Sequence, residues 1–364
     1  MIFYLIVLKY TVVMNVNKRL VKELQQLYKQ QNEKPLLEND YLIYFDDNNI
    51  NEVYALIKAP YESVYRHKFI KLNIKIPENY PHSPPEVFFI NYDNVRIHPN
   101  MYENGKCCST ILNTWGNDKY EKWTSSMGIE TILLTFHSFL DYDPYTYEPG
   151  GRDDPSYTVY VLYESWYTCL IRYIENERIS IFNKFIANYI VINLPNIIDD
   201  LQKLNIDYPF GNYYTRCFEV DNYIINYDRI LSTLQYYYNY LEEIANNNSE
   251  DSSSIELSSL DKIDRFGQYE CNICFDTDSL DLESYILLDC NHKFHKNCLK
   301  THIEQNSTIC SMCRRELIED ELKKLDGEYE KTEEEIWIIN PITKRRIKKG
   351  GKTYRQLIDN GILE

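Results

Sequence analysis

Eight side chains that ligate soft metals fall in one short stretch, in the order Cys271, Cys274, Cys290, His292, His295, Cys298, Cys310 and Cys313. The stretch opens and closes on a Cys pair with two residues between, and such a pair spans one edge of a tetrahedral thiolate site. Eight ligands fill two four-coordinate sites and leave no open position, which is structural rather than catalytic metal chemistry. A segment this short buries little apolar surface, so metal binding must supply much of its folding free energy. Thiols clustered by chance would not keep the paired spacing. A disulfide framework needs an oxidising compartment, and no convincing secretory signal precedes the stretch.

Four cysteines lie elsewhere: Cys107, Cys108, Cys169 and Cys217. A thiolate that is partly exposed and free of metal can accept an acyl group from another thioester. Cys169 and Cys217 sit among Tyr, Leu, Ile and Phe and read as packing residues. Cys107 and Cys108 lie in Gly105-Lys106-Cys107-Cys108-Ser109-Thr110-Ile111-Leu112, where either thiol could serve.

The elements that must position these thiols follow in order. Lys18-Arg19-Leu20-Val21-Lys22-Glu23-Leu24 opens an amphipathic helix with Leu20, Leu24 and Leu27 on one face. Phe69 to Ile76 alternates as a strand does. Three prolines in Tyr80-Pro81-His82-Ser83-Pro84-Pro85 exclude helix and fix a rigid turn. His98-Pro99-Asn100, Trp115, Trp123, Asp143-Pro144 and Glu148-Pro149 then follow.

From Lys18 to Leu140 this ordered set resembles the ubiquitin-conjugating family, and the eight-ligand stretch resembles the RING family. The resemblance implies an α+β chain: a conjugating domain with a helical extension, then a small zinc-stabilised RING. It assigns Cys271, Cys274, His295 and Cys298 to one Zn2+ and Cys290, His292, Cys310 and Cys313 to a second. It selects Cys108, followed by two residues and then Ile-Leu, as the thiol that carries ubiquitin, and leaves Cys107 at an apolar position. Asn100 matches the family's amide donor, which either stabilises the oxyanion or holds the adjacent loop. Glu148 matches the acidic gate beside the incoming lysine, with Glu for the more frequent Asp, and His98 resembles a histidine that ties down a turn.

Departures from the two patterns fall on the expected docking loops. His82 and Trp123 are expected at the surface that meets the RING; His82 stands where many relatives place a Phe that contacts the RING, and Ser125 follows Trp123 where Pro is usual. His302 replaces a common Trp and Ser311 a common Pro, whereas Ile273 and Arg314 match, the latter as the basic bridge to thioester-linked ubiquitin. Such changes fit either a matched pair within the chain or a weak contact. Ala59-Pro60 and the run from Tyr61 to Lys68 depart from the usual pattern and leave the strand connection there open.

The chain has 364 residues, which predicts two or three domains. The divisions expected are a prefix over 1–16, the conjugating domain over 17–155, a helical extension over 156–245, a linker over 246–265, the RING over 266–318, and a helix with a basic module over 319–364. In the extension, Tyr160, Tyr163, Tyr167 and Leu170, and again Ile230, Leu231, Leu234 and Tyr238, recur at helical spacing. A formal net charge of −16 disfavours general binding to nucleic acid or anionic membrane. Met1 to Leu8 is apolar but too short to span a bilayer, and translation could start at Met1 or Met14.

The tail from Asn340 to Gly361, with its Lys-Arg-Arg-Ile-Lys-Lys-Gly-Gly-Lys run, resembles a short module of large nucleocytoplasmic DNA viruses. That resemblance implies work in infected host cytoplasm, a viral factory or the nucleus. The expected function is ubiquitin transfer: Cys108 takes ubiquitin, or a ubiquitin-like modifier, from an activating enzyme and passes it to lysines of host or viral substrate proteins, with the RING as ligase in the same chain, contacting the conjugating domain of its own or of a neighbouring chain. Two rivals stand beside it, a decoy that sequesters ubiquitin machinery, and a conjugating enzyme whose RING only recruits substrate or dimerises.

Overall fold

The computed structural model describes residues 17–46, 48–116, 120–150, 154–246, 271–275, 285–290, 292–305, 308–326, 337–339 and 346–348. Helix α1 (Lys18–Glu33) begins at Asn17, whose side chain accepts a hydrogen bond from the Leu20 amide at 3.2 Å. Leu20, Leu24 and Leu27 form its buried stripe. Strands β1 (Tyr41–Asp46), β2 (Asn49–Lys58), β3 (Phe69–Lys75) and β4 (Glu86–Phe89) make one antiparallel sheet in sequence order. The open connection between β2 and β3 is closed by the Ala59 amide donating to the Lys68 carbonyl at 3.1 Å, with His67 in the left-handed region.

Ile70, Leu72 and Ile74 of β3 oppose Ile57, Ala55 and Val53 of β2, and helix α2 (Ile129–Phe139) packs on β2. The alternation read in β3 predicts polar residues facing water, yet Lys71 is buried. The reason is that the extension covers the second face of the sheet. Phe69 meets Phe185 and Tyr189 edge-on at 5.6 and 5.4 Å, and Lys71 Nζ ion-pairs with Glu177 at 2.8 Å.

The extension is not helical throughout. Helix α3 (Pro155–Trp166), capped by Asp154, runs through a π-turn (Tyr167–Ile171) into α4 (Arg172–Asn176). Then come α5 (Ser180–Asp207), a hairpin of β5 (Gly211–Thr215) and β6 (Asp221–Ile225), and α6 (Tyr227–Asn246), which packs along α5. Pro209 prevents α5 from continuing, and the Tyr- and Ile-rich segments beyond it suit strands. By length and composition α5 is the one helix among the described residues able to cross a membrane, but its Phe182, Phe185, Ile186 and Ile190 are buried in the shared core.

The RING residues have a separate core of Ile273, Leu288, Phe294 and Leu299, built on β7 (Tyr285–Leu287), β8 (Lys293–His295) and α7 (Lys296–Gln305). Helix α8 (Glu319–Asp326) follows, anchored where Glu321 accepts from the Asp289 and Ile318 amides and from Arg315. A short pair, β9 (Trp337–Ile339) and β10 (Arg346–Lys348), ends the described residues. The prefix 1–16, nearly all of the linker and most of the basic module lie outside them.

Candidate thioester site and metal centres

Two backbone bonds set the loop that carries Cys108. The Cys107 amide donates to the Val87 carbonyl of β4 at 3.1 Å, and the Cys108 amide to the Asn100 carbonyl at 2.9 Å. Gly105 makes the bend: its φ is +82°, and a Cβ there would sit 2.6 Å from the Phe89 carbonyl oxygen. Asn100 Nδ2 donates to the Cys108 carbonyl at 2.9 Å, spending one of its two hydrogens. The Asn100 amide donates to His98 Nδ1 at 3.0 Å. His98 is fully buried and stacked on Phe139 at 5.4 Å, and burial lowers its pKa to about 3, so it is neutral and locked in its turn.

The two vicinal thiols differ. Cys107 is buried among core residues and burial pushes its pKa well above the usual thiol range, which disfavours the thiolate. Cys108 lies outside that cluster but is only 6% exposed, less open than the partly exposed thiol expected. The Tyr102 phenol lies near enough to the Cys108 thiol to interact with it, and burial first, then the neighbouring thiol, raise the Tyr102 pKa. Sequence reasoning missed Tyr102, because only the fold of the 101–108 loop brings the phenol to the thiol. Glu148 sits just after a short 3₁₀ turn (Pro144–Tyr147), and its Oε2 is buried with no hydrogen-bond partner among the described residues.

The metal-ligand side chains gather into two groups, Cys271, Cys274, His295 and Cys298, and Cys290, His292, Cys310 and Cys313. Within each, the donor atoms lie within 4.8 Å of one another. Cys274 Sγ stands 3.1 Å from His295 Nδ1, and Cys310 Sγ 3.5 Å from His292 Nδ1. Those spacings fit the edges of a tetrahedron around an ion with metal–sulfur bonds of about 2.3 Å. The donor sets are the thiolate–imidazole mixture that Zn2+ favours.

The RING rests on the conjugating domain. Arg19 of α1, buried and ion-paired with Glu23, donates to the Asn272 and Ile273 carbonyls at 3.1 and 3.0 Å and lies 3.5 Å over the Phe275 ring. Lys22 donates to the Phe275 carbonyl. Thr124 Oγ1 donates to the Ser311 carbonyl at 2.7 Å, and Ser126 and Ser311 hydroxyls meet at 2.6 Å. Ser125 Oγ lies 3.0 Å from His82 Nδ1 and 2.9 Å from His302 Nδ1. Arg314 donates to the Lys122 carbonyl at 3.0 Å.

Ile273 is thus in the contact through its carbonyl, and His82 through Ser125. Trp123, expected at the docking surface, is instead buried inside the conjugating domain, where its Nε1 donates to the Pro81 carbonyl at 2.7 Å. Its large ring braces the two loops, and the hydroxyl residues after it reach the partner. Arg19, Lys22, Thr124 and Ser126 were missed. Arg19 reads as the solvent side of an amphipathic helix until a partner covers it.

Residues 11–153 match the family model described as ubiquitin-conjugating enzyme, and residues 269–314 that described as Ring finger domain. The chain therefore combines a ubiquitin-conjugating α+β fold with a C-terminal RING containing two Cys/His clusters. Ubiquitin-conjugating enzyme E2 Z of Danio rerio is 32% identical over 111 residues, 30% of this chain and 33% of that protein. The human dual E2 ubiquitin-conjugating enzyme/E3 ubiquitin-protein ligase BIRC6 is 32% identical over 123 residues, 31% of this chain and 2% of that protein. A ubiquitin-conjugating enzyme E2 of African swine fever virus is 32% identical over 117 residues, 31% of this chain and 50% of that protein. The chain matches half or less of the length of each of these relatives.

Proposed function

We propose that the chain is a ubiquitin-conjugating enzyme and RING ligase in one polypeptide. Cys108 accepts ubiquitin as a thioester from an activating enzyme, and a substrate lysine then attacks the thioester carbonyl. The observation that carries this reading is the Asn100–Cys108 loop: a thiol outside the core cluster, with an amide donor fixed beside it by its bond to the Cys108 carbonyl. The second Asn100 N–H is the group that meets the oxyanion as the lysine adds. Glu148 takes the part of an acidic neighbour for the lysine ammonium, supported by its buried, unbonded Oε2.

Each Cys/His cluster holds one structural Zn2+, which fixes the RING surface that meets the conjugating domain. The RING holds the charged domain in a reactive posture, and Arg314 is the group that bridges to bound ubiquitin. The viral relative and the basic C-terminal run support a viral protein acting on host or viral substrates in infected cytoplasm.

The test is incubation of the full chain with activating enzyme, ATP and labelled ubiquitin, resolved with and without reductant. A reductant-sensitive adduct that is lost in Cys108→Ser, with reductant-stable chains lost in His295→Ala, is the expected result. An adduct without RING-dependent chains reduces the RING to a recruiter or dimeriser, and no adduct at all leaves the decoy.

A further inference from the structure

The contacts that hold the RING divide into two kinds. Arg19, Lys22, Arg314 and Thr124 all bond to main-chain carbonyls, of Asn272, Ile273, Phe275, Lys122 and Ser311. Every chain of the same fold presents carbonyls there, so these bonds give strength without choice. The His82–Ser125–His302 relay and the Ser126–Ser311 hydroxyl pair join side chain to side chain. They depend on which residues both partners carry, as do the Arg19–Phe275 ring contact and the exposed Asn79–Gln305 bond at 3.3 Å, but among the described residues Ser125–His302 is the buried side-chain hydrogen bond across the seam.

We propose that this RING is dedicated to its own conjugating domain, and that the His82–Ser125–His302 relay with the Ser126–Ser311 pair is its specificity determinant. The inference rests on reading the RING as a partner of the conjugating domain and goes beyond it by stating which partners are refused. Ser125, His302 and Ser311 are buried in the contact. The Ser125 hydroxyl has one hydrogen, so it donates to one imidazole and accepts from the other, and the relay is complete only with both rings in place. A conjugating domain with an apolar side chain in place of Ser125 strips His302 of that bond in a site water cannot enter. Leaving a buried polar group unpaired weakens a contact by about 1–3 kcal/mol, roughly 5- to 150-fold. The rejection is reciprocal: an apolar side chain on a foreign RING takes from the buried Ser125 hydroxyl one of its two imidazole partners and leaves it only the bond to His82.

The test uses the full chain with a protease site inserted between residues 246 and 271. After cleavage, size-exclusion chromatography across a dilution series measures how firmly the RING fragment stays bound, and its zinc content reports that it is folded. The native pair is expected to co-elute. Ser125→Ala and His82→Phe, neither of them a member of the Cys/His clusters, are expected to release the RING at least about tenfold more readily. His82→Phe with His302→Leu is expected to lose less than the two single changes combined, because both remove members of one relay and their costs overlap rather than add. An added conjugating enzyme with Phe and Pro at the positions of His82 and Ser125 should displace the His302→Leu fragment and leave the native one bound. Retention unchanged in Ser125→Ala, release of the native fragment on cleavage, or equal displacement of both fragments overturns the proposal. The readout is retention rather than ubiquitin transfer, so a chain that never charges Cys108 leaves this inference standing, and a released RING leaves the charging activity standing.

Discussion

At the scale of single residues, the two neighbouring thiols are separated by environment rather than chemistry. Cys107→Ala is expected to leave thioester formation intact, because its thiol faces the core and burial holds its pKa up. A gel-based charging assay checks this, and loss of the adduct would show that the assignment belongs to Cys107. Asn100→Ala should spare charging and slow lysine discharge by roughly 10²–10³, the usual effect of removing an oxyanion donor. Single-turnover discharge to free lysine measures it; an equal loss in charging would mean that Asn100 only holds the loop. The two Cys/His groups were legible because chelation geometry imposes spacing that survives in one dimension, and the loop that carries Cys108 because of the residues around it. Tyr102 was not, since nothing local in Met101-Tyr102-Glu103 says that its phenol will lie near a thiol six positions on.

At the scale of elements, the second face of the sheet and the RING seam each carry a prediction. Glu177 is the fully buried partner of Lys71, so Glu177→Ala leaves an ammonium uncompensated beneath the extension and should destabilise the protein by about 3–5 kcal/mol. Thermal melting checks it, and a change in Tm within error would mean that water reaches Lys71. At the seam, burial and then the neighbouring His82 lower the His302 pKa to about 4, while a backbone hydrogen bond to Ile309 opposes them. Released, the imidazole returns toward about 6.5. The docked form therefore binds fewer protons, so docking is at full strength above that value and weakens as pH falls toward 4. His82, whose pKa burial also lowers, acts in the same direction. Retention of the cleaved RING at pH 7 and 5.5, with zinc content followed, tests this; the dependence should shrink in His302→Gln. Helical spacing revealed α3 and α6, yet the β5–β6 hairpin between α5 and α6 escaped notice. Tyr-rich segments satisfy both periods, and the turn residues that decide it, Phe218, Glu219 and Asp221, adopt positive φ without glycine.

At the scale of the whole molecule, two apolar cores that share no residues predict two separable unfolding events. The smaller core leans on its ligand clusters, so a strong chelator should unfold the RING and leave the conjugating domain and extension folded. Limited proteolysis with and without chelator reads this directly, and simultaneous loss of both parts would mean that the seam couples them. The division into a conjugating part and a RING was visible in the sequence, because each has local signatures. Their seating was not, because Arg19, Ser125 and His302 are ordinary surface residues until a partner more than 100 positions away removes them from water. The same seating makes abundance irrelevant. Two proteins that must meet are governed by how many copies a cell holds of each, whereas Arg19 and Ile273 are joined by one backbone and stand 3.0 Å apart at a single hydrogen bond. The paired fraction then stays the same in a crowded compartment and a sparse one, and the first molecule made is as fully assembled as the last.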